Sequence, residues 1–177
     1  NGLCLSFEGK KITVAATDGR RLAVREEKLK LKGEDASGIV PIKGIATIRR
    51  VVEGSDEVEL ALSDNMIMVK AAGGEAYSRL IQGKFPDYER VIPVGNDKKV
   101  IIDREDLLSI IRRAALLCSG ESRAVKFSFE KGSLKLSSRT AEVGEAELSL
   151  PVSYDGPAIE MDFNPDYIAD VLKVLDT

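Results

Sequence analysis

The sequence predicts an α+β protein built from repeated units of one strand, one helix and three strands, with the helices on one face of antiparallel sheets. Three observations lead to this class. Short apolar strands run directly into helices with one apolar face at three places. Segments in which apolar and polar residues alternate follow the first two helices. The helix starts also recur at a nearly constant spacing, since 103 − 41 = 62 and 164 − 103 = 61 residues separate Pro41, Asp103 and Asn164.

Each of the three predicted helices follows a short strand. The strand and helix of each pair are predicted at 38–41 and 42–52, at 99–102 and 103–118, and at 158–163 and 164–175. Asp103 and Asn164 are of the residue types that cap helices, because their side-chain oxygens can accept hydrogen bonds from first-turn N–H groups. Pro165 suits the first helical position, where its missing N–H removes no hydrogen bond. These residues predict where the second and third helices begin.

The remaining strands are predicted as antiparallel meanders with one buried face. They are expected at 57–62, 66–72 and 75–81, at 125–129, 134–136 and 142–150, and, before the first helix, at 3–7, 12–16 and 22–24. Asp64-Asn65, Lys131-Gly132 and Glu8-Gly9-Lys10 provide the turns between strands. The stretch 93–98 is the best candidate for a linker between domains. We expect both chain ends to be cut from a longer protein, because the third helical pattern continues into the last residues.

Composition excludes several classes of function. The chain has 177 residues, is 44% hydrophobic and carries a formal charge of 26 − 29 = −3, which argues mildly against nucleic-acid binding by bulk positive charge. Any contact with DNA must therefore come from locally placed charge. No apolar run approaches the roughly 20 residues that a transmembrane helix needs. No signal peptide is recognisable, so we expect a protein of the reducing cytoplasm with two buried, unpaired thiols at Cys4 and Cys118.

Groups that could perform catalysis are missing from the sequence. The chain has no histidine, which removes the usual general base and the common zinc sites. It has no phosphate-binding loop and no G-x-S-x-G motif. Two carboxylate pairs have ordinary structural explanations. Glu34-Asp35 is expected in a solvated loop, and Glu105-Asp106 in the first turn of a helix, where the positive end of the helix dipole favours acids. We therefore predict no enzyme, no catalytic residues, no metal and no cofactor.

Three segments resemble hallmark stretches of one family. They are TVAATDGRRLAV at 13–24, GKFPDYERVIP at 83–93 and FNPDY at 163–167. Together they resemble the bacterial DNA sliding-clamp family, the beta subunit of DNA polymerase III. The resemblance implies the DNA clamp fold, with three similar domains of two strand–helix–three-strand units each. Residues 1–97 would then be the second domain without its first strand and helix, and residues 98–177 the first part of the third domain.

The resemblance also implies a function and partners. Family members are processivity factors, in which two subunits close head to tail into a ring around duplex DNA, without reading its sequence. The ring tethers the replicative polymerase, the clamp loader and other proteins that carry a clamp-binding motif. The full-length protein would then be a homodimer of the bacterial cytoplasm, associated with the nucleoid and not with a membrane. Without the first domain, we expect the 177-residue chain to form no ring.

Family members bind partner peptides in a cleft between the second and third domains. The resemblance assigns this cleft to Thr17, Gly19, Arg20, Arg21, Leu22, Pro86, Arg90, Val91, Asn164 and Tyr167. Leu22, Pro86 and Val91 would supply apolar surface, while Arg21 and Arg90 would bind a peptide carbonyl or carboxylate. Plainer roles stay open for several of these residues. The segment 17–19 can be only a turn, with Gly19 at positive φ, and Asn164 can be only a helix cap.

Phe85 and Tyr88, next to these positions, are expected to pack in a core that fixes the linker strand. Many family members have histidine where this chain has Arg20, a difference that affects the rim of the cleft rather than its existence.

The helices of the family face the DNA. The predicted DNA-facing residues are Lys43, Arg49, Arg50, Arg112, Arg113 and Lys173. The first helix has no acid, and we predict Arg49 and Arg50 opposite Ile42 and Ile45, which suits a phosphate-facing surface. Acidic residues offset the charge on the other two helices, and an ordinary solvated face is the alternative there.

Two further readings of the whole chain stay open. The second is a stand-alone peptide-binding or scaffolding module unrelated to DNA, which the acidic total charge mildly favours. An enzyme is the third, and the absence of histidine, metal ligands and nucleotide motifs weighs against it.

Overall fold

A computed structural model of the chain describes residues 2–30, 33–116, 118, 123–140 and 144–175. The chain divides into two compact units, unit 1 at Asn1–Ile92 and unit 2 at Pro93–Thr177. Both combine antiparallel sheets with helices, which confirms the predicted α+β class.

Unit 1 contains two sheets and one helix among its described residues. Its elements are β1 Gly2–Glu8, β2 Lys11–Thr17, β3 Leu22–Lys28, β4 Ala36–Pro41, α1 Ile42–Val52, β5 Glu59–Leu62, β6 Met66–Ala71, β7 Gly74–Arg79 and a 3-10 turn Glu89–Val91. The strands form the antiparallel sheets β3-β2-β1-β4 and β5-β6-β7. The two sheets are linked where Ile81 N–H donates to the Ile39 carbonyl oxygen at 2.8 Å.

The core of unit 1 lies between the sheets and α1. Leu5, Val40, Ile67 and Val69 are buried there, and Ile45 and Ile48 of α1 pack against them half-buried. Apolar residues at alternate positions of β6 supply part of this core, as the period-two pattern predicts.

Unit 2 contains one four-stranded sheet and two helices among its described residues. Its elements are α2 Arg104–Ala115, β8 Val125–Glu130, β9 Ser133–Thr140, β10 Gly144–Pro151, β11 Ile159–Phe163 and α3 Pro165–Leu172, and the sheet order is β10-β9-β8-β11. The predicted caps are confirmed. The Asp103 carboxylate accepts the N–H groups of Glu105 and Asp106, and Asn164 accepts the N–H of Asp166. The α2 face with Leu108, Ile111 and Ala114 is buried in the core of this unit.

The two units repeat one arrangement. In unit 1 the meander β1-β2-β3 is followed by β4, which pairs with β1 and leads into α1. In unit 2 the meander β8-β9-β10 is followed by β11, which pairs with β8 and leads into α3. The repeat predicted from helix spacing is therefore a structural repeat.

The predicted strand at 99–102 is not formed. Residues 93–103 have no regular secondary structure, and within the described ranges no strand pairs with 99–102. A strand needs a neighbour to accept and donate its backbone hydrogen bonds, so an apolar run alone does not make one.

Other boundaries and burial predictions need smaller corrections. The second and third helices end at Ala115 and Leu172, before the predicted 118 and 175, and Leu117 lies outside the described residues. Cys118 is buried as predicted, whereas Cys4 is half-buried. Ile42, assigned to the apolar face of the first helix, is 65% exposed.

Candidate functional site

The turn between β2 and β3 is closed by a dense set of hydrogen bonds. Thr17 Oγ1 donates to the Arg21 carbonyl oxygen at 2.8 Å and accepts the Gly19 N–H at 3.1 Å. Asp18 Oδ1 accepts the backbone N–H groups of Arg20 and Arg21, each at 3.0 Å. Gly19 has φ +84°, a conformation that favours glycine. The plain turn expected for 17–19 is thus present, and it brings together five consecutive residues of the predicted cleft segment.

Asp18 also holds a side chain of the turn. Its Oδ2 accepts the Arg21 Nε–H at 3.0 Å, and both side chains are partly exposed. The backbone N–H groups of Arg20 and Arg21, followed by the Arg21 side chain, lower the pKa of the Asp18 carboxyl group. From residue type alone, Asp18 is predicted only to close the turn. Its place three residues before Arg21 permits this second contact but does not by itself predict it.

The Asp18 pKa gives a prediction for acid. Because the folded-state pKa is below the ordinary value of 3.8, Asp18 stabilises the turn above that value and loses this effect as pH falls through the lowered pKa. In an NMR titration, the amide signals of Arg20 and Arg21 should shift only below the ordinary pKa. The same step should be missing in Asp18→Asn. A midpoint at or above the ordinary value would contradict the hydrogen-bonded turn.

The second predicted cleft segment, 83–91, also lies in unit 1. The rings of Phe85 and Tyr88 pack edge to face with centroids 6.1 Å apart. Both are only half-buried and outside the core clusters, so the expectation that they pack in a core is wrong. Burial and the nearby charge of Glu89 raise the pKa of Tyr88.

The segment 83–91 contains one ion-paired arginine and two exposed apolar residues. Arg90 is paired with Asp87, with Nε and Oδ2 2.7 Å apart, although the Arg90 side chain is 84% exposed. Val91 is 70% exposed, and Pro86 is exposed as well. Leu22, at the start of β3, is half-buried. The segment therefore offers apolar surface that a bound chain could cover.

The last two predicted cleft residues, Asn164 and Tyr167, lie in unit 2. Asn164 Oδ1 accepts the Asp166 N–H at 2.9 Å, which confirms that Asn164 caps α3. The Asn164 carbonyl oxygen accepts the Tyr167 N–H at 3.2 Å, and the Tyr167 side chain is half-buried.

The α1 surface carries three exposed cations, Lys43, Arg49 and Arg50. Within the described residues, none of the three has an ion-pair partner. The prediction that Arg49 lies opposite Ile42 is wrong, because residues seven apart are almost two full turns apart and share one side of a helix. Arg49 and Ile42 are both exposed beside the buried face, whereas Lys43 and Arg50 point away from it.

The other predicted DNA-facing residues lie in unit 2. Arg112 and Arg113 are exposed in the last turn of α2. Lys173 Nζ lies 2.9 Å from Asp170 Oδ1, so its charge is locally compensated. Lys173, at the end of α3, therefore offers less uncompensated charge than Lys43, Arg49 and Arg50, which have no ion-pair partner within the described residues.

The described side chains provide binding groups rather than reactive ones. Within the described ranges, no group of three His, Cys, Asp or Glu side chains is placed to hold a metal ion. Burial raises the pKa of the Cys4 and Cys118 thiols, which opposes the reactive thiolate form. Asp35, of the carboxylate pair in the loop, accepts the Gly9 N–H at 2.7 Å and so has a structural role. None of the described helices is long and apolar enough to cross a membrane.

Two family models match the chain end to end. The central-domain model of the DNA polymerase III beta subunit matches residues 1–87, and the C-terminal-domain model matches residues 89–177. Among curated proteins, the beta sliding clamp of Pseudomonas aeruginosa is 37% identical over 100% of this chain and 49% of the relative. The beta sliding clamp of Haemophilus influenzae is 36% identical over 99% of the chain and 48% of the relative. The chain thus spans about half the length of these relatives.

Solved structures agree with the sequence comparisons. A sliding clamp from Pseudomonas aeruginosa bound to griselimycin superposes with a TM-score of 0.95 at 36% identity, over 100% of this chain and 48% of that one. The beta subunit from Thermotoga maritima gives a TM-score of 0.92 at 29% identity, over the same shares. The fold is that of a DNA polymerase sliding clamp. The chain belongs to the DNA polymerase III beta subunit family.

Proposed function

We propose that the chain is part of a DNA polymerase processivity factor, a sliding clamp that encircles duplex DNA and tethers replication and repair proteins. The observation that carries this proposal is the match of two adjacent clamp-domain models, in order, to residues 1–87 and 89–177. The clamp acts by binding, without catalysis and without a cofactor. In the full-length protein, it works as a head-to-tail homodimer in the cytoplasm, at the nucleoid.

We also propose an assignment of domains. Residues 1–97 are the middle clamp domain, and residues 98–177 are the first part of the C-terminal clamp domain. The middle domain then lacks its first strand and helix. A pocket of about 170 Å³ beside α1 supports this assignment; it is lined only by apolar residues, namely Leu3, Leu5, Val40, Ile45, Ile48, Leu60, Ile67 and Val69. In unit 2, by contrast, α3 packs against a second helix, α2.

Partner peptides are proposed to contact the β2–β3 turn and the 83–91 segment of unit 1, and Asn164 and Tyr167 at the start of α3 in unit 2. Exposed Val91 and Pro86, with half-buried Leu22, supply surface for apolar anchor side chains. Arg21 and Arg90 supply charged donors for peptide carbonyl groups or a carboxylate. Replicative polymerase, clamp loader and other proteins with a clamp-binding motif are the proposed occupants.

The proposed DNA surface is the exposed side of α1. Within the described part of the chain, its three cations form no ion pair that would compete with a phosphate, and the first turn of α1 contains no acid. Each phosphate contact adds affinity and salt dependence, so a small number of contacts suits a ring that must slide. The net charge of −3 discourages other contacts with DNA. Base readout has no place in this function, since it would stop movement.

A peptide titration tests the cleft. The labelled chain, titrated with a synthetic peptide carrying the clamp-binding motif of a replicative polymerase, should show NMR shifts at 17–22, 86–91 and Tyr167. NMR detects binding even at a Kd of about 1 mM. Arg21→Ala should weaken binding by about tenfold or more, because a hydrogen bond to a charged group contributes about 1.5–3 kcal/mol.

Arg25→Ala is the matched control, since Arg25 is an exposed arginine of β3, four residues after Arg21, and pairs with Glu27. Its Kd should stay within about twofold of the unaltered chain, because exposed ion pairs contribute little. A folded chain without shifts at these positions would contradict the cleft and favour the scaffolding alternative.

A further inference from the structure

We infer that Asp18 is a positioning residue for peptide binding, which holds the Arg21 guanidinium in the orientation that the bound peptide requires. This role rests on the proposed function, because it presupposes that the β2–β3 turn forms part of a peptide cleft. Neither the predicted site residues nor the family comparisons assign a role to Asp18.

The two carboxylate oxygens of Asp18 have separate tasks. Oδ1 accepts the backbone N–H groups of Arg20 and Arg21 and so sets the path of the turn. Oδ2 accepts the Nε–H of Arg21 at 3.0 Å and so fixes the guanidinium plane. A side chain that only closed a turn would need the first oxygen alone. The second contact acts on the side chain that the proposed cleft uses.

The acid–arginine pair at 87 and 90 shows that the spacing alone does not give this arrangement. Asp87 and Arg90 are also three residues apart and in contact at 2.7 Å. There the arginine side chain is 84% exposed, whereas the Arg21 side chain is 39% exposed. Arg21 is thus restrained by its surroundings as well as by its acid.

Restraint matters because a flexible side chain must lose its rotamer freedom when it binds. An arginine that is already fixed avoids this loss, and the loss corresponds to a factor of about two to ten in Kd. Asp18 therefore strengthens peptide binding without touching the peptide.

The test separates the two oxygens by substitution. Asp18→Asn keeps an oxygen that can accept the turn N–H groups, but it replaces Oδ2, the acceptor of the guanidinium, by an NH2 group that can only donate. We expect it to weaken binding of the polymerase-type peptide by about fivefold, within the range that side-chain ordering allows. Glu27→Gln is the control, because Glu27 also pairs with an arginine but lies outside the proposed cleft, and its Kd should change less than about twofold.

Two further readouts exclude a merely structural role. The Arg21 Nε–H should give a slowly exchanging NMR signal in the free chain, and Asp18→Asn should remove it while the Arg20 and Arg21 amide signals persist. In an Arg21→Ala background, Asp18→Asn should cause no further loss, since coupled residues are not additive.

The outcomes distinguish the role of Asp18 from the proposed peptide-binding function itself. A chain that binds the peptide equally well with Asp18→Asn overturns the role of Asp18 and leaves the cleft intact. Losses that add in the double variant overturn it as well, since Asp18 would then act independently of Arg21. An unaltered chain that binds no peptide overturns the proposed function, and the role of Asp18 with it.

Discussion

Replacing Ile111 by alanine should lower the free energy of unfolding of unit 2 by about 3 kcal/mol, within the range for large-to-small changes in a core. Ile111 lies in the middle of α2 and is 0% exposed. Its side chain belongs to the cluster that joins α2 to Leu134 and Leu136 of β9, so its removal leaves a cavity among fixed neighbours. Urea unfolding followed through the amide signals of unit 2 measures the effect.

Leu116→Ala is the matched control for this core substitution. Leu116 caps the end of the same helix but is 82% exposed, so the change should cost less than about 0.5 kcal/mol. Equal losses in the two variants would show that α2 does not bury the face described above.

Neutralising Lys43, Arg49 and Arg50 together to glutamine should weaken association with duplex DNA at low salt by about tenfold or more. The three cations are exposed on α1 and form no ion pair with any acid that the structure describes. If each contacts one phosphate, the slope of log K against log salt should fall by up to about 2.7, or about 0.9 for each contact. Fluorescence anisotropy with a labelled duplex at several salt concentrations measures both quantities.

A second triple variant controls for the loss of charge itself. Arg25, Lys28 and Lys30 lie in or just after β3, and their replacement by glutamine removes the same three charges from a different surface. This variant should keep most of the affinity and most of the salt slope. If both triple variants lose affinity equally, net charge rather than the α1 surface governs the association.

Local signals in the sequence were sufficient for most of the fold. The first helix has the predicted bounds of 42–52, because a strand ending in proline precedes it and its apolar period is unbroken. Asp103 and Asn164 cap their helices because capping depends on a few neighbouring atoms. The prediction of a strand at 99–102 was wrong because strand formation depends on a distant partner strand, which local sequence does not reveal.

The candidate site was predictable in its location but not in its contacts. The Thr17-Asp18-Gly19 turn follows from residue types, and Gly19 has the positive φ expected of it. The bond from Arg21 to Asp18 depends on side-chain orientation, which no periodicity encodes. The position of Arg49 beside Ile42, by contrast, could have been predicted from helix geometry alone, because residues seven apart lie on the same side of a helix. Which residues contact a peptide or DNA remains a prediction.

The unpaired run at 99–102 has a consequence for how the chain behaves in concentrated solution. Val100, Ile101 and Ile102 are β-branched, and Ile101 is 89% exposed, so the run combines strong strand propensity with open backbone groups. Such runs are the usual starting points of intermolecular cross-β pairing. Here Lys98 precedes the run, Lys99 is its first residue and the Asp103 carboxylate follows it. Charges in these positions act as gatekeepers that oppose the stacking of like chains, so charged residues flank this β-branched run on both sides.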